Sequence, residues 1–145
     1  MAGSLNAMVV DDTITYRMIM KKVAESIPGI SVTSTVSNGK LALDKLGEQI
    51  ARNDPERPDI VLLDVEMPVM DGITTLKEIR KRYPQLTVVM VSALSRSNAN
   101  IILECLNAGA LDFVTKPLET NVERAKAALR KDLEPILALL AQDQG

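Results

Sequence analysis

The sequence predicts an α/β fold, (βα)5: a doubly wound parallel five-stranded sheet with an extended C-terminal helix. Three observations predict it. Short apolar runs alternate with longer segments of helical period from one end of the chain to the other. Two of the runs, Ile60-Val61-Leu62-Leu63 and Val88-Val89-Met90-Val91, are apolar at every residue, as strands covered on both faces must be. Gly and Pro punctuate the joins.

The strands are expected at Leu5 to Val10, Ser31 to Val36, Ile60 to Leu63, Leu86 to Val91 and Ala110 to Val114. The first helix carries apolar residues at Tyr16, Ile19, Met20, Val23, Ala24 and Ile27, one stripe of an α-helix, and Pro28-Gly29 stops it. The second runs from Gly39 to about Ala51, and Ala51 to Asp59 forms a long connection on the amino-terminal side of strand three. The third covers Thr74 to Arg82, and the fourth Ser97 to Asn107, ended by Ala108-Gly109. The fifth begins near Thr120-Asn121. Its stripe of Val122, Ala125, Leu129, Leu133, Ile136 and Leu140 continues to the end of the chain. Pro135 interrupts it, which predicts a kink or restart near Glu134, since an interior proline costs about 3 kcal/mol.

Length fits one domain, expected over residues 5–130. Residues 131–145 are expected as a helical extension or the start of a linker, and residues 1–4 carry no structural weight. The apolar end of the fifth helix either folds back on the domain or meets a partner, with a homodimer one expectation.

Composition excludes several functions. A net charge of −2 with scattered basic residues argues against direct nucleic-acid binding. One cysteine, Cys105, and no histidine exclude an internal disulfide, a Cys/His metal cluster and a Ser-His-Asp site within this chain. No run approaches the ~20 apolar residues of a membrane span, and a cytoplasmic setting is expected. With aromatic residues at 2% and no Trp, the core must come from Val, Ile, Leu, Met and Ala.

In a doubly wound sheet ligands bind at the carboxyl ends of the strands. Strand one ends in Asp11-Asp12, strand three in Asp64, strand four in Ser92 and strand five in Lys116-Pro117. A lone Asp-Asp pair is more often a turn or a helix cap than a site. Three carboxylates, a hydroxyl and an ammonium converging on one edge are different. The carboxylates repel, and a divalent cation removes the repulsion; an all-oxygen donor set favours Mg²⁺ or Mn²⁺. Three acids and Lys116 sum to −2, which one such ion neutralises. A phosphoryl group could then approach one carboxylate, with Lys116 and Ser92 on its oxygens, to give an aspartyl-phosphate.

With these residues in view, the sequence resembles the bacterial response-regulator receiver family. Asp11-Asp12, Asp64, Met67-Pro68, Asp71-Gly72, Ser92-Ala93 and Lys116-Pro117 carry the resemblance, in order, over about Ala7 to Ala128. Among receivers it is similar to the regulatory domain of chemotaxis methylesterases, through Leu63 to Gly72, Val89 to Leu94 and Gly109 to Val114.

The resemblance implies a flavodoxin-like receiver fold and a signalling phosphoacceptor rather than an enzyme. It implies Asp64 as phosphoacceptor, and Asp11, Asp12, Asp64 and the backbone carbonyl of Glu66 around Mg²⁺. Ser92, Ala93 and Lys116 would contact the phosphate. Ser92 and Phe113 would form the switch, and the Lys116-Pro117 bond would be cis. The implied partners are a histidine kinase or phosphotransfer protein, and an output domain or protein docked on helix four, strand five and helix five. Glu66 could repel the phosphoryl group, orient a hydrolytic water or simply face solvent. Two other readings stand beside this one: a phosphate-independent interaction module, and an Mg-dependent phosphatase of the haloacid dehalogenase type.

Overall fold

The structure, a computed structural model, describes residues 4–93, 99–117 and 120–142. Five strands, β1 (Leu5–Val10), β2 (Ile30–Val36), β3 (Ile60–Leu63), β4 (Thr87–Ser92) and β5 (Asp112–Thr115), form one sheet in the order β2-β1-β3-β4-β5, every pairing parallel. The helices are α1 (Ile14–Glu25), α2 (Gly39–Ala51), α3 (Gly72–Arg82), α4 (Ala99–Asn107) and α5 (Val122–Gln142). The start expected for the fourth helix, at Ser97, lies outside the described residues.

Strand alternation divides the core into two layers. Ala7, Val9, Leu62, Val89, Val91 and Val114 face α1 and α5, where Met20, Val23, Leu129 and Leu133 meet them. Met8, Val10, Val61, Leu63, Val88 and Met90 face the other way, toward Leu46, Leu76, Ile79 and Cys105. β1 and β3, at the centre, are buried on both sides, which is why β3 reads as an unbroken apolar run. Both layers are built from Val, Ile, Leu, Met and Ala with one buried cysteine.

Local chemistry sets the helix starts. Asn38 caps α2 by accepting from the Leu41 amide at 2.9 Å, and Asp71 caps α3 by accepting from Thr74 at 2.8 Å. Asn121 accepts from Arg124 at 3.0 Å at the start of α5. Gly109 adopts φ 109°, a conformation open to glycine, as the chain leaves α4.

The fifth helix corrects one of two alternatives, the restart near Glu134. α5 is a single element from Val122 to Gln142, with Pro135 inside it and no restart at Glu134. Pro135 lies on the exposed face, so water can satisfy the carbonyl one turn earlier that its ring leaves unpaired. On the opposite face Leu129, Leu133, Leu137 and Ala141 are buried in the same layer as α1, with Ile136 and Leu140 packed against it. The apolar stripe is therefore occupied by the domain's own core.

The long connection is ordered by its neighbours. Asn6 donates through its side-chain amide to the carbonyls of Pro55 and Arg57 at 3.0 and 3.1 Å. Thr33, extruded by a register shift between β1 and β2, donates to the Glu56 carbonyl at 2.7 Å. All of this lies at the amino-terminal edge of the sheet, opposite the edge that carries the acidic cluster.

Candidate functional site

The sheet order reverses direction between β1 and β3, and the crevice at their carboxyl ends is where such folds bind ligands. Backbone bonds continue past the strand ends and hold the site residues there. The Asp11 amide donates to Val36 O at 3.1 Å, Asp64 to Val10 O at 3.0 Å, and Lys116 to Ser92 O at 2.7 Å. Each functional side chain thus leaves from a backbone fixed by its neighbour.

The side chains converge. Asp11, Asp12 and Asp64 each present an oxygen within 4.8 Å of the other two. Lys116 Nζ lies 2.5 Å from Asp11 Oδ2 and 3.3 Å from Asp64 Oδ2. Asp11, Asp64, Ser92 and Lys116 are all buried, whereas Asp12 is exposed and opens the cluster to solvent. Asp11 Oδ1 also accepts from the Thr13 amide at 2.8 Å, which fixes the rotation of its carboxylate. The turn role expected of an Asp-Asp pair is present, then, but it uses only one oxygen.

The electrostatics follow from burial. Desolvation pushes the Asp64 carboxyl above its ordinary pKa; Lys116 opposes this and Asp11 adds to it. Burial pulls the Lys116 ammonium down, but the Asp11 and Asp64 carboxylates outweigh it and hold its pKa above the usual lysine value. One ammonium serves two buried carboxylates, and Asp12 adds a third charge at the rim. This donor set, all oxygen, anionic and open on one side, fits a hard divalent cation such as Mg²⁺. The Ser92 hydroxyl is buried beside it with no hydrogen-bond partner. A buried hydroxyl with nothing to bond is costly unless a ligand completes it.

The loop after β3 is shaped to keep Asp64 in place. Gly72 packs against the chain so closely that a Cβ there would lie 1.9 Å from the Asp64 carbonyl oxygen. Its amide donates to Val65 O at 2.7 Å. Between them the loop makes a tight turn in which Met70 donates to Pro68 O at 2.8 Å and Val69 takes φ 70°. Glu66 lies in this loop, two residues after Asp64, with its side chain exposed.

Of the remaining expected residues, Ala93 follows Ser92 at the surface, and the residues after it, 94–98, lie outside the described ones. Phe113 is half-buried and packs against the layer that holds Met90 and Cys105. The cis bond expected between Lys116 and Pro117 is not present: the described residues contain no cis peptide. Trans is the default even before proline, by about 0.5–1 kcal/mol. In that form the Pro117 carbonyl accepts from the Tyr16 hydroxyl at 3.3 Å.

Sequence reasoning missed Tyr16. Its place in the apolar stripe of α1 marked it as core, and it does pack against that layer, but it is only half-buried and its ring also faces the site, with Lys116 Nζ 4.4 Å from its centroid. A ring in the first turn of the helix that follows Asp11-Asp12 was the available signal.

The family model of the response regulator receiver domain matches residues 7–128. The chain belongs to that family. It is 39% identical over 134 residues to the protein-glutamate methylesterase/protein-glutamine glutaminase of Desulfotalea psychrophila, covering 92% of this chain and 35% of that protein. It is 45% identical over 113 residues to the corresponding protein of Bacillus licheniformis, covering 78% of this chain and 29% of that one. The chain therefore spans about a third of the length of these curated relatives. Among solved structures, the response regulator domain of Thermotoga maritima CheB superposes with a TM-score of 0.72 at 31% identity, over 93% of this chain and 97% of that one. The chain in the CheX-CheY-BeF3-Mg complex from Borrelia burgdorferi gives 0.74 at 29% identity, over 94% and 89%. This receiver domain thus groups with chemotaxis proteins of two-component signalling.

Proposed function

We propose that this receiver domain accepts a phosphoryl group on Asp64 from a partner's phosphohistidine in an Mg²⁺-dependent reaction, and that the acylphosphate resets its output face. The observation that carries the reading is the convergence of Asp11, Asp12 and Asp64 on one point, with Lys116 bound to two of them and an unpartnered Ser92 hydroxyl alongside.

Asp64 supplies the nucleophilic oxygen, and its new bond to phosphorus replaces the donor's P–N bond. Asp11, Asp12, Asp64 and the Glu66 carbonyl would hold Mg²⁺, which supplies charge neutralisation at the phosphoryl oxygens when bound. Lys116 and Ser92, with the Ala93 backbone, hold those oxygens in place. Asp64 is buried, and the exposed Asp12 leaves the cluster open to solvent on its side. A donor reaches the site past Asp12.

The switch follows from the same groups. A phosphoryl oxygen gives the Ser92 hydroxyl the partner it lacks and draws it inward. Phe113, on the neighbouring strand, then turns into the space released. The face of α4, β5 and α5 changes with it and docks an output domain or partner protein. Leu103, Leu106 and Leu111 are exposed there, at 56%, 39% and 54%, and suit a protein contact. No described helix is long and apolar enough to cross a membrane. On this reading the domain is a phosphoacceptor that assists its own phosphorylation, and methylester chemistry belongs elsewhere.

Intact mass after incubation with acetyl phosphate and Mg²⁺ tests it. The expected result is one added phosphoryl group that needs Mg²⁺ and is absent from Asp64→Ala. No addition to the unmodified chain overturns the reading in favour of a phosphate-independent module.

A further inference from the structure

We infer that Tyr16 is a positioning residue for Lys116, holding the ammonium at the phosphoryl site while its carboxylate partners are engaged elsewhere. The inference rests on the phosphoacceptor reading and extends it to a residue outside the acidic cluster. Its ground is geometric. Lys116 Nζ sits among Asp11 Oδ2 at 2.5 Å, Asp64 Oδ2 at 3.3 Å and the Tyr16 ring, 4.4 Å from its centroid. The ring is itself held: it rises from α1, and its hydroxyl donates to the carbonyl of Pro117, the residue after Lys116. Ring and lysine therefore share one anchor.

The three partners differ in what the reaction does to them. Phosphoryl transfer turns the Asp64 carboxylate into an acyl oxygen and places the negative charge on the phosphoryl oxygens instead. A cation at the acidic cluster competes with Lys116 for Asp11. Each of these loosens one carboxylate contact of a side chain with four rotatable bonds. The ring face carries no exchangeable charge and binds no hard cation, so its attraction for the ammonium persists through both steps. It leaves the N–H groups on the far side free for phosphoryl oxygens. Because Lys116 is buried, the attraction acts where solvent screens it least.

Two measurements test this. The first reads the contact without any phosphoryl chemistry. In ¹H–¹³C spectra of the cation-free chain, the Lys116 ε-methylene protons should be shifted upfield by the Tyr16 ring current. The shift should survive in Tyr16→Phe and vanish in Tyr16→Leu. Its absence from the unmodified chain overturns the stacked pair.

The second is the initial rate of phosphoryl uptake from acetyl phosphate with Mg²⁺. Tyr16→Leu should be slower by about three- to tenfold, the range of a partly desolvated cation–π contact. Tyr16→Phe should stay within about twofold of the unmodified chain, because it keeps the ring and loses only the hydroxyl. In a Lys116→Ala background, Tyr16→Leu should add no further loss. Equal slowing with and without Lys116, or a Phe variant as slow as Leu, overturns the positioning role. An unmodified chain that takes up no phosphoryl group overturns the phosphoacceptor reading and this role with it. The ring-current shift separates that outcome from failure of the stacked pair.

Discussion

At the residue scale the site is a balance of buried charges. Asp64 illustrates it: its pKa is raised above the ordinary 3.8, chiefly by burial. A group whose folded pKa is raised contributes stability that is present below its unfolded pKa and is lost as pH rises through the folded one. Ionised Asp64 is therefore a cost at neutral pH. In chelator, Asp64→Asn should melt at a higher temperature than the unmodified chain at pH 7, and the gap should close as pH falls to about 3.8 and below. A gap that is constant with pH would contradict the assignment. Removing the ammonium has the opposite sign. Lys116→Met strands Asp11 and Asp64 without their cation and should destabilise by about 3 kcal/mol or more in the absence of metal. Chemical denaturation measures it. Gly72 belongs at this scale as well. Gly72→Ala drives a methyl onto the Asp64 carbonyl and should cost about 1–3 kcal/mol, with slowed phosphoryl uptake.

At the scale of elements, the two edges of the sheet are separable. The long connection is held by Asn6 and Thr33 at the amino-terminal edge, and the site occupies the carboxyl edge. Asn6→Ala removes two hydrogen bonds, to the Pro55 and Arg57 carbonyls. It should lower stability by about 1–2 kcal/mol and leave phosphoryl uptake unchanged. A matching loss of uptake would show that the edges communicate. The loop after β3 is the strained element: Val69, β-branched and 76% exposed, is held at φ 70°. Val69→Gly should relieve that strain and raise stability by about 1 kcal/mol, read by thermal melting. Such gains at a loop beside an active site often reduce function, so uptake should be followed in the same variant.

At the scale of the whole molecule, α5 carries the core well past Leu133. Its last turns bury Leu137 and Ala141 in the layer they share with α1, so truncation after Leu133 would open the core rather than trim a tail. Leu137→Ala alone should cost about 2–5 kcal/mol. A homodimer through this stripe would need apolar surface that the fold already uses. Leu139, 60% exposed, is the large apolar residue that α5 leaves outside in this segment. Sedimentation of the full chain and the Leu139→Lys variant would detect self-association through it, and the expected result is no change.

The sequence by itself determined the order of elements, the strand-end carboxylates and the lysine. Those depend on local rules: strands between helix layers must be apolar on both faces, and α/β crossovers deliver their carboxyl ends to one edge. Asp11, Asp64, Ser92 and Lys116 could be placed together without coordinates for that reason. What the sequence could not show was anything set by distant packing. Pro135 in a continuous α5 depended on which face met solvent. Tyr16 followed the helical period of a core residue, and periodicity alone does not tell where a stripe ends and a site begins. Only the tertiary structure, by laying α1 beside the end of β5, turned that ring toward the ammonium of Lys116.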